Sequence, residues 1–187
     1  MPTSYPRSED DTLYAGKPER YPGTDEGAGY PVIRYSEGLE MGYRWFQAQG
    51  IKPLFGFGFG LSYTTFDIAD VVGGRAGRCE CAGHRDRIGD EYRPRGRRRG
   101  GAGVSRGCPC DGQPPKRLVG FQKVFVEPGE SKPVTITIDP AATNHPFSVW
   151  DDCSHSFVIK PGEYTVYVGN AADNTPRIAT LAVASDR

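Results

Sequence analysis

The sequence predicts a mainly β protein, an antiparallel sandwich preceded by an extended N-terminal arm, on three observations. From Arg117 onward the chain breaks into short runs of β-branched and aromatic residues: "RLVGFQKVFV", "KPVTITI", "FSVW", "SFVI", "EYTVYVG" and "RIATLAVA". Turn signals separate them, and Glu127-Pro128-Gly129-Glu130 and Lys160-Pro161-Gly162-Glu163 both put Pro and Gly where a type II turn needs a fixed φ and then a positive one. Ahead of these runs, residues 1–52 are polar and rich in Pro, Gly and Tyr, with no regular apolar period from which a separate core could be built. Many short strands at this spacing pack as an antiparallel sandwich.

Taken in order, residues 1–60 form the arm and 61–187 the sandwich. At 187 residues the chain has room for one ordinary domain with an extension. The arm carries Tyr21, Tyr30, Tyr35, Tyr43, Trp45 and Phe46, aromatics that need a host surface, since large exposed apolar patches mark contacts. At its end stands "PLFGFGFGLSYTTF", residues 53–66, with glycine at every second place. A glycine-rich phosphate loop would need a helix opening directly after it, and a strand sequence follows instead. In extended backbone Phe55, Phe57 and Phe59 would share one face, leaving Gly56, Gly58 and Gly60 bare on the other. A bare face admits another backbone, so the run is read as a structural crossover from arm to sandwich.

These residues carry a resemblance. "YSEGLEMGYRWFQAQGIKPLFGFGFGLSYTTF" resembles the junction in glycoside hydrolase family 3, the β-glucosidase-like enzymes, where the second α/β domain passes into a C-terminal fibronectin type III-like domain. "KRLVGFQKVFVEPGESKPVTITI" and "SFVIKPGEYTVYVGNAADN" resemble later strands of that domain, in the same order. The resemblance implies an immunoglobulin/fibronectin type III-like sandwich, incomplete here, acting as an accessory to catalytic domains on β-glucoside-like substrates. It also implies that "PTSYPRSEDDT" corresponds to an internal segment of the second domain.

The resemblance supplies no catalytic residue. Retaining glycosidases need a carboxylate nucleophile and a carboxylic acid about 5 Å apart. In the family these come from a barrel and from the part of the second domain ahead of this arm. The acids that are present, Glu37 and Glu40 in the arm and Asp151 and Asp152 in the sandwich, are neighbours in sequence as surface acids commonly are. His84, His145 and His155 have no spacing that points to a triad or a metal and read as loop residues. No catalytic, cofactor or metal site is expected. The expected partners are the parent's catalytic domains and a carbohydrate.

Composition points the same way. Twenty-three basic residues balance 23 acidic ones, so nothing global suggests nucleic acid or a membrane surface as partner. No apolar run reaches the roughly 18 residues of a membrane span, and "MPTSYPRSED" lacks a signal-peptide pattern, so the chain as written is expected to stay cytoplasmic. Five cysteines without regular spacing argue against a disulfide framework.

The segment 73–112 breaks the pattern. Arg and Gly make up 20 of the 35 residues from Gly73 to Gly107, and ten Arg face only Glu80, Asp86, Asp90 and Glu91. So little apolar surface does not offset an ordering cost of about 1–2 kcal/mol per residue, and disorder without strands is expected. Arg/Gly-rich tracts bind nucleic acid, but the interleaved aromatics that would stack bases are missing apart from Tyr92. Cys79, Cys81, Cys108 and Cys110 offer four thiolates for zinc, at a tighter Cys-x-Cys spacing than zinc knuckles use. A further reading comes from the genetic code. Back-translated and read one nucleotide later, residues 83–106 permit Val-Thr-Val-Thr-Ala-Ser-Val-Thr, a turn Asn-Thr-Gly, and Glu-Val-Val-Gln-Val-Tyr-Leu, which is a strand, a turn and a strand. A pair of compensating frameshifts and a genuine insertion both fit the sequence.

Overall fold

The computed structural model describes residues 1–27, 29–69, 71–73, 78–81, 84–87, 98–107 and 112–183. The arm holds a 3-10 turn at Glu9–Asp11, a two-stranded ribbon of β1 (Thr24–Asp25) and β2 (Pro31–Val32), and helix α1 (Tyr43–Ala48). The sandwich strands follow as β3 (Thr65–Ile68), β4 (Val71–Gly73), β5 (Arg78–Cys81), β6 (His84–Arg87), β7 (Arg98–Gly107), β8 (Arg117–Val126), β9 (Val134–Thr137), β10 (Ser148–Asp151), β11 (Ser156–Ile159), β12 (Gly162–Gly169) and β13 (Arg177–Val183). All six apolar runs after Arg117 are strands.

Among the described residues the sheets are small and the sandwich is incomplete. One sheet has the order β13-β12-β7-β8, a second β4-β5-β9, and β3-β6 and β10-β11 are two-stranded. Every pairing is antiparallel. Alternation fixes which face turns inward. In β9, Val134 and Ile136 are buried while Thr135 and Thr137 are exposed; in β12, Tyr164, Val166 and Val168 are buried while Thr165 and Tyr167 are half-buried. With Ile68, Val119, Ile138, Phe147, Leu181 and Val183 they form one core. Phe147 meets Tyr164 edge-on at 5.1 Å between ring centres, and the buried Tyr164 hydroxyl donates to the Lys160 carbonyl, which satisfies its polar end.

Three strands run through the segment expected to have none. β5 pairs with β4 and β9, β6 with β3, and β7 lies between β8 and β12. The expectation weighed side-chain burial alone. The backbone groups of β8, β9 and β12 need partners whatever the side chains opposite them, and no proline interrupts 78–81, 84–87 or 98–107, so each residue there has an N–H to give. The rest of the disorder expectation, on residues 74–77, 82–83, 88–97 and 108–111, lies outside the described residues.

The two Pro-Gly turns differ. Glu127 to Glu130 closes as expected, with Gly129 at φ 76° and the Glu130 N–H donating to the Glu127 carbonyl at 3.0 Å. Gly162 is at φ 148° and already opens β12. The chain is leaving the β10-β11 ribbon for another sheet there, so a tight hairpin turn would point it the wrong way.

Candidate functional site

The junction of arm and sandwich gathers the chemistry that the fold positions. The glycine-rich run lies between two partners. On one side the N-terminal residues hold it: Tyr5 and Phe55 form a bridge, the Phe57 N–H donates to Ser4 Oγ at 3.1 Å, and the Gly58 N–H to the Met1 carbonyl at 2.9 Å. On the other side stands the 170–174 loop after β12, whose Ala172 N–H donates to the Phe57 carbonyl at 2.8 Å. Gly56 and Gly58 make this approach possible. A Cβ on Gly56 would lie 2.3 Å from Asp173 Oδ1, and one on Gly58, at φ 89°, 3.1 Å from the Ala171 Cα.

The crossover is real but not extended. The positive φ at Gly58 reverses the chain, and the Phe59 N–H donates to the Gly56 carbonyl at 3.0 Å. Phe55 and Phe59 therefore pair at 5.0 Å, while Phe57 turns to Tyr43 at 5.3 Å. The three phenylalanines do not share a face, because strand periodicity fails where a glycine takes a left-handed φ.

Helix α1 supplies the other ties. Tyr43, Phe46 and Gln47 recur at helical spacing on one side of the helix. Leu118 N–H donates to Tyr43 Oη at 2.9 Å, Gln47 Nε2 donates to the Ala172 carbonyl at 2.8 Å, and Phe46 is buried. Tyr43 and Phe46 are among the aromatics read as needing a host. The sequence reading did not single out Gln47 or Asp173; the three-and-four spacing in "GYRWFQ" and the turn signal in "GNAADN" are the features that point to them.

The candidate acids each serve local structure. Glu37 is 8% exposed and lies 3.6 Å from Arg20 Nε. Arg20 also donates to the Leu13 carbonyl and to Ser36 Oγ, and its guanidinium lies 5.5 Å from the centre of the Trp45 ring, so this pair fastens the arm to itself. Glu40 accepts from Gln49 Nε2 at 3.0 Å, and Asp152 accepts from the Trp150 indole N–H at 2.9 Å. His145 stacks on Phe157 at 3.6 Å, His155 lies in the β10–β11 turn, and His84 opens β6 rather than a loop. Among the described residues no group of three or more His, Cys, Asp or Glu is gathered for a metal; Cys108 and Cys110 lie outside them.

Asp151 ties the β10–β11 turn. The Ser154 hydroxyl and N–H both donate to its Oδ2, at 2.6 and 2.9 Å, and these bonds hold its carboxyl below the ordinary 3.8. A carboxyl lowered in the folded state contributes above its unfolded pKa and loses that contribution as pH falls through the lower folded value. In an NMR titration, Ser154→Ala is expected to move the Asp151 midpoint upward. An unmoved midpoint would refute the role of Ser154.

Comparison with known proteins agrees with this architecture. Residues 108–172 match the family described as "Fibronectin type III-like domain". The chain is 31% identical to probable β-glucosidase G of Emericella nidulans, covering 81% of this chain and 21% of that protein. It is 30% identical to thermostable β-glucosidase B of Acetivibrio thermocellus, covering 81% and 19%. The crystal structure of DesR, a β-glucosidase from Streptomyces venezuelae in complex with D-glucose, superposes with a TM-score of 0.81 at 28% identity, over 97% of this chain and 22% of that one. The chain thus spans about a fifth of the length of these relatives. Among the described residues no helix is long and apolar enough to cross a membrane. Junction, strand order and sequence together show that the chain corresponds to the fibronectin type III-like C-terminal region of β-glucosidases of the glycoside hydrolase family 3 type.

Proposed function

We propose that the chain acts as the accessory region of a family 3 glycosidase that hydrolyses β-glucoside-like substrates, and that it contributes no catalytic carboxylate itself. The observation that carries this reading is the two-sided character of the arm. One side is tied to the sandwich through Tyr43, Gln47 and Phe57. Elsewhere it exposes large apolar residues: Tyr21 at 65%, Tyr30 at 67% and Tyr35 at 73%, with Leu61 and Tyr63 beyond the crossover at 93% and 89%. Surface of this kind is suited to a second domain packed against the arm, such as the catalytic domains of the relatives.

Two measurements test the proposal. The purified chain is expected not to hydrolyse aryl glucosides, xylosides or arabinosides. Added to a relative's β-glucosidase lacking its own C-terminal region, it is expected to raise that enzyme's thermal midpoint. Turnover that survives repurification and is abolished by Glu37→Gln or Asp151→Asn would overturn the reading, as would the absence of any effect in the mixture.

A free-standing carbohydrate-binding sandwich is the second reading. Trp150 and Phe157 favour it: they pair across β10 and β11 and meet edge-on at 5.3 Å, yet remain 51% and 47% exposed. Fixed, exposed aromatic rings suit sugar stacking.

A further inference from the structure

A cavity of about 510 Å³ opens between arm and sandwich, within the roughly 300–1,000 Å³ range of small-molecule sites. Its walls come from α1, the 50–56 segment, Pro115 and Lys116, and the 170–174 loop. The groups on those walls define what fits. Phe46, Ile51 and Pro53 give an apolar floor. Gln47 Nε2 is used by the Ala172 carbonyl, which turns Oε1 into a buried acceptor with no donor. An acceptor in that position costs free energy until a donor reaches it. Lys116 donates to Thr175 Oγ1 at 3.1 Å and lies 4.8 Å from the centre of the Tyr167 ring. An ammonium has three protons, so this leaves donor capacity unused. Burial lowers the Lys116 pKa and the attraction of Asp173 opposes that shift, yet among the described residues no ion pair joins the two groups.

The cavity thus combines a neutral acceptor, a carboxylate, an ammonium and an apolar floor. An anion such as phosphate would meet the Lys116 ammonium but also the Asp173 carboxylate and the Gln47 carbonyl oxygen. A cation would meet those acceptors but also Lys116, with Lys52 at the rim. A neutral polyol satisfies all of them: its hydroxyls donate to Gln47 and Asp173, accept from Lys116, and its C–H face rests on Phe46 and Ile51. We infer that the cavity, walled by Gln47, Lys116 and Asp173 over an apolar floor, is a binding site for a monosaccharide of pyranose size. The inference rests on the cavity's own groups and stands apart from the question of catalysis in the parent.

The test titrates the intact, isotope-labelled chain with D-glucose, then separately with phosphate and guanidinium, following the Gln47 side-chain amide and the Lys116 side chain by NMR. Saturable shifts at about millimolar D-glucose are expected, as suits a small ligand with few contacts. Phosphate and guanidinium are expected to cause none at the same concentrations. Gln47→Leu and Asp173→Asn should each weaken binding roughly tenfold, the scale of one lost hydrogen bond to a buried or charged group. Lys52 is exposed, so Lys52→Met leaves the fold intact, and a roughly threefold loss there tests the site even where the other variants unfold. No shift with D-glucose, equal shifts with phosphate, or unchanged affinity in a folded Gln47→Leu chain would overturn the inference.

Discussion

A chain in which residues 83–106 are replaced by the shifted-frame sequence is expected to unfold more cooperatively and at higher temperature than the natural chain. The reason lies in β7, which pairs with β8 on one side and β12 on the other. A central strand usually draws its stability from cross-strand side-chain pairs. Here Gly100, Gly101 and Gly103 stand opposite Val124, Lys123 and Phe121, and bring no side chain to any of those pairs. Phe121 is left 76% exposed. The shifted reading puts valine at all three positions. At about 1 kcal/mol each the gain is about 3 kcal/mol, or roughly 6–12 °C for a chain of this size. The triple variant Gly100→Val, Gly101→Val, Gly103→Val isolates that contribution from the rest of the replacement. Near-UV circular dichroism and thermal melts of the three chains decide the matter. A lower midpoint or aggregation in the replaced chain would show the Arg/Gly segment to be adapted to its place.

The position of β7 also shows where the sequence was legible. After Arg117 pattern and strands agree closely, because β-branched alternation and burial point one way: "KPVTITI" reads as a one-faced strand, and Val134, Ile136 and Ile138 are buried. Within 73–112 the side-chain pattern carries no strand signal, because the pairing there is set by the neighbouring backbones. The shifted-frame strand Glu-Val-Val-Gln-Val-Tyr-Leu falls on residues 99–105, inside β7, and Val-Thr-Val-Thr-Ala-Ser-Val-Thr spans β6. The strand–turn–strand of the shifted reading thus falls on two strands of the structure.

The junction was half legible. Glycine at alternate places announced a close backbone approach, and Gly56 and Gly58 provide one. What approaches them was hidden, because the 170–174 loop lies more than a hundred residues away and carries no pattern of its own. Gln47 and Asp173 are likewise unremarkable in sequence; tertiary contact alone places them on one cavity.

Gly169→Ala is expected to be among the most damaging single changes, and to act on the arm as well as the sandwich. Gly169 ends β12, and a Cβ there would lie 1.9 Å from the Asn174 carbonyl oxygen and 2.6 Å from the Thr175 Cα. Both are backbone atoms, so no rotamer relieves the clash and the 170–174 loop must move. That loop is closed by an Ala171–Asn174 bridge and by Asn174 Nδ2 donating to Asn170 Oδ1 at 2.7 Å. It also accepts Gln47 and donates to Phe57 through Ala172, so displacing it unhooks α1 and the crossover together. Overpacking against fixed backbone costs about 3 kcal/mol, or roughly 6–12 °C here. The specific signature is in the arm: faster amide exchange at Ala172, and altered Trp45 fluorescence as the arm loosens. Gly129→Ala is the control, since Gly129 has positive φ but nothing within 4 Å of an added Cβ and lies away from the junction. It should destabilise less and leave Ala172 exchange unchanged. If Gly169→Ala melts like the natural chain, or lowers the midpoint while Ala172 stays equally protected, then the loop does not couple arm to sandwich.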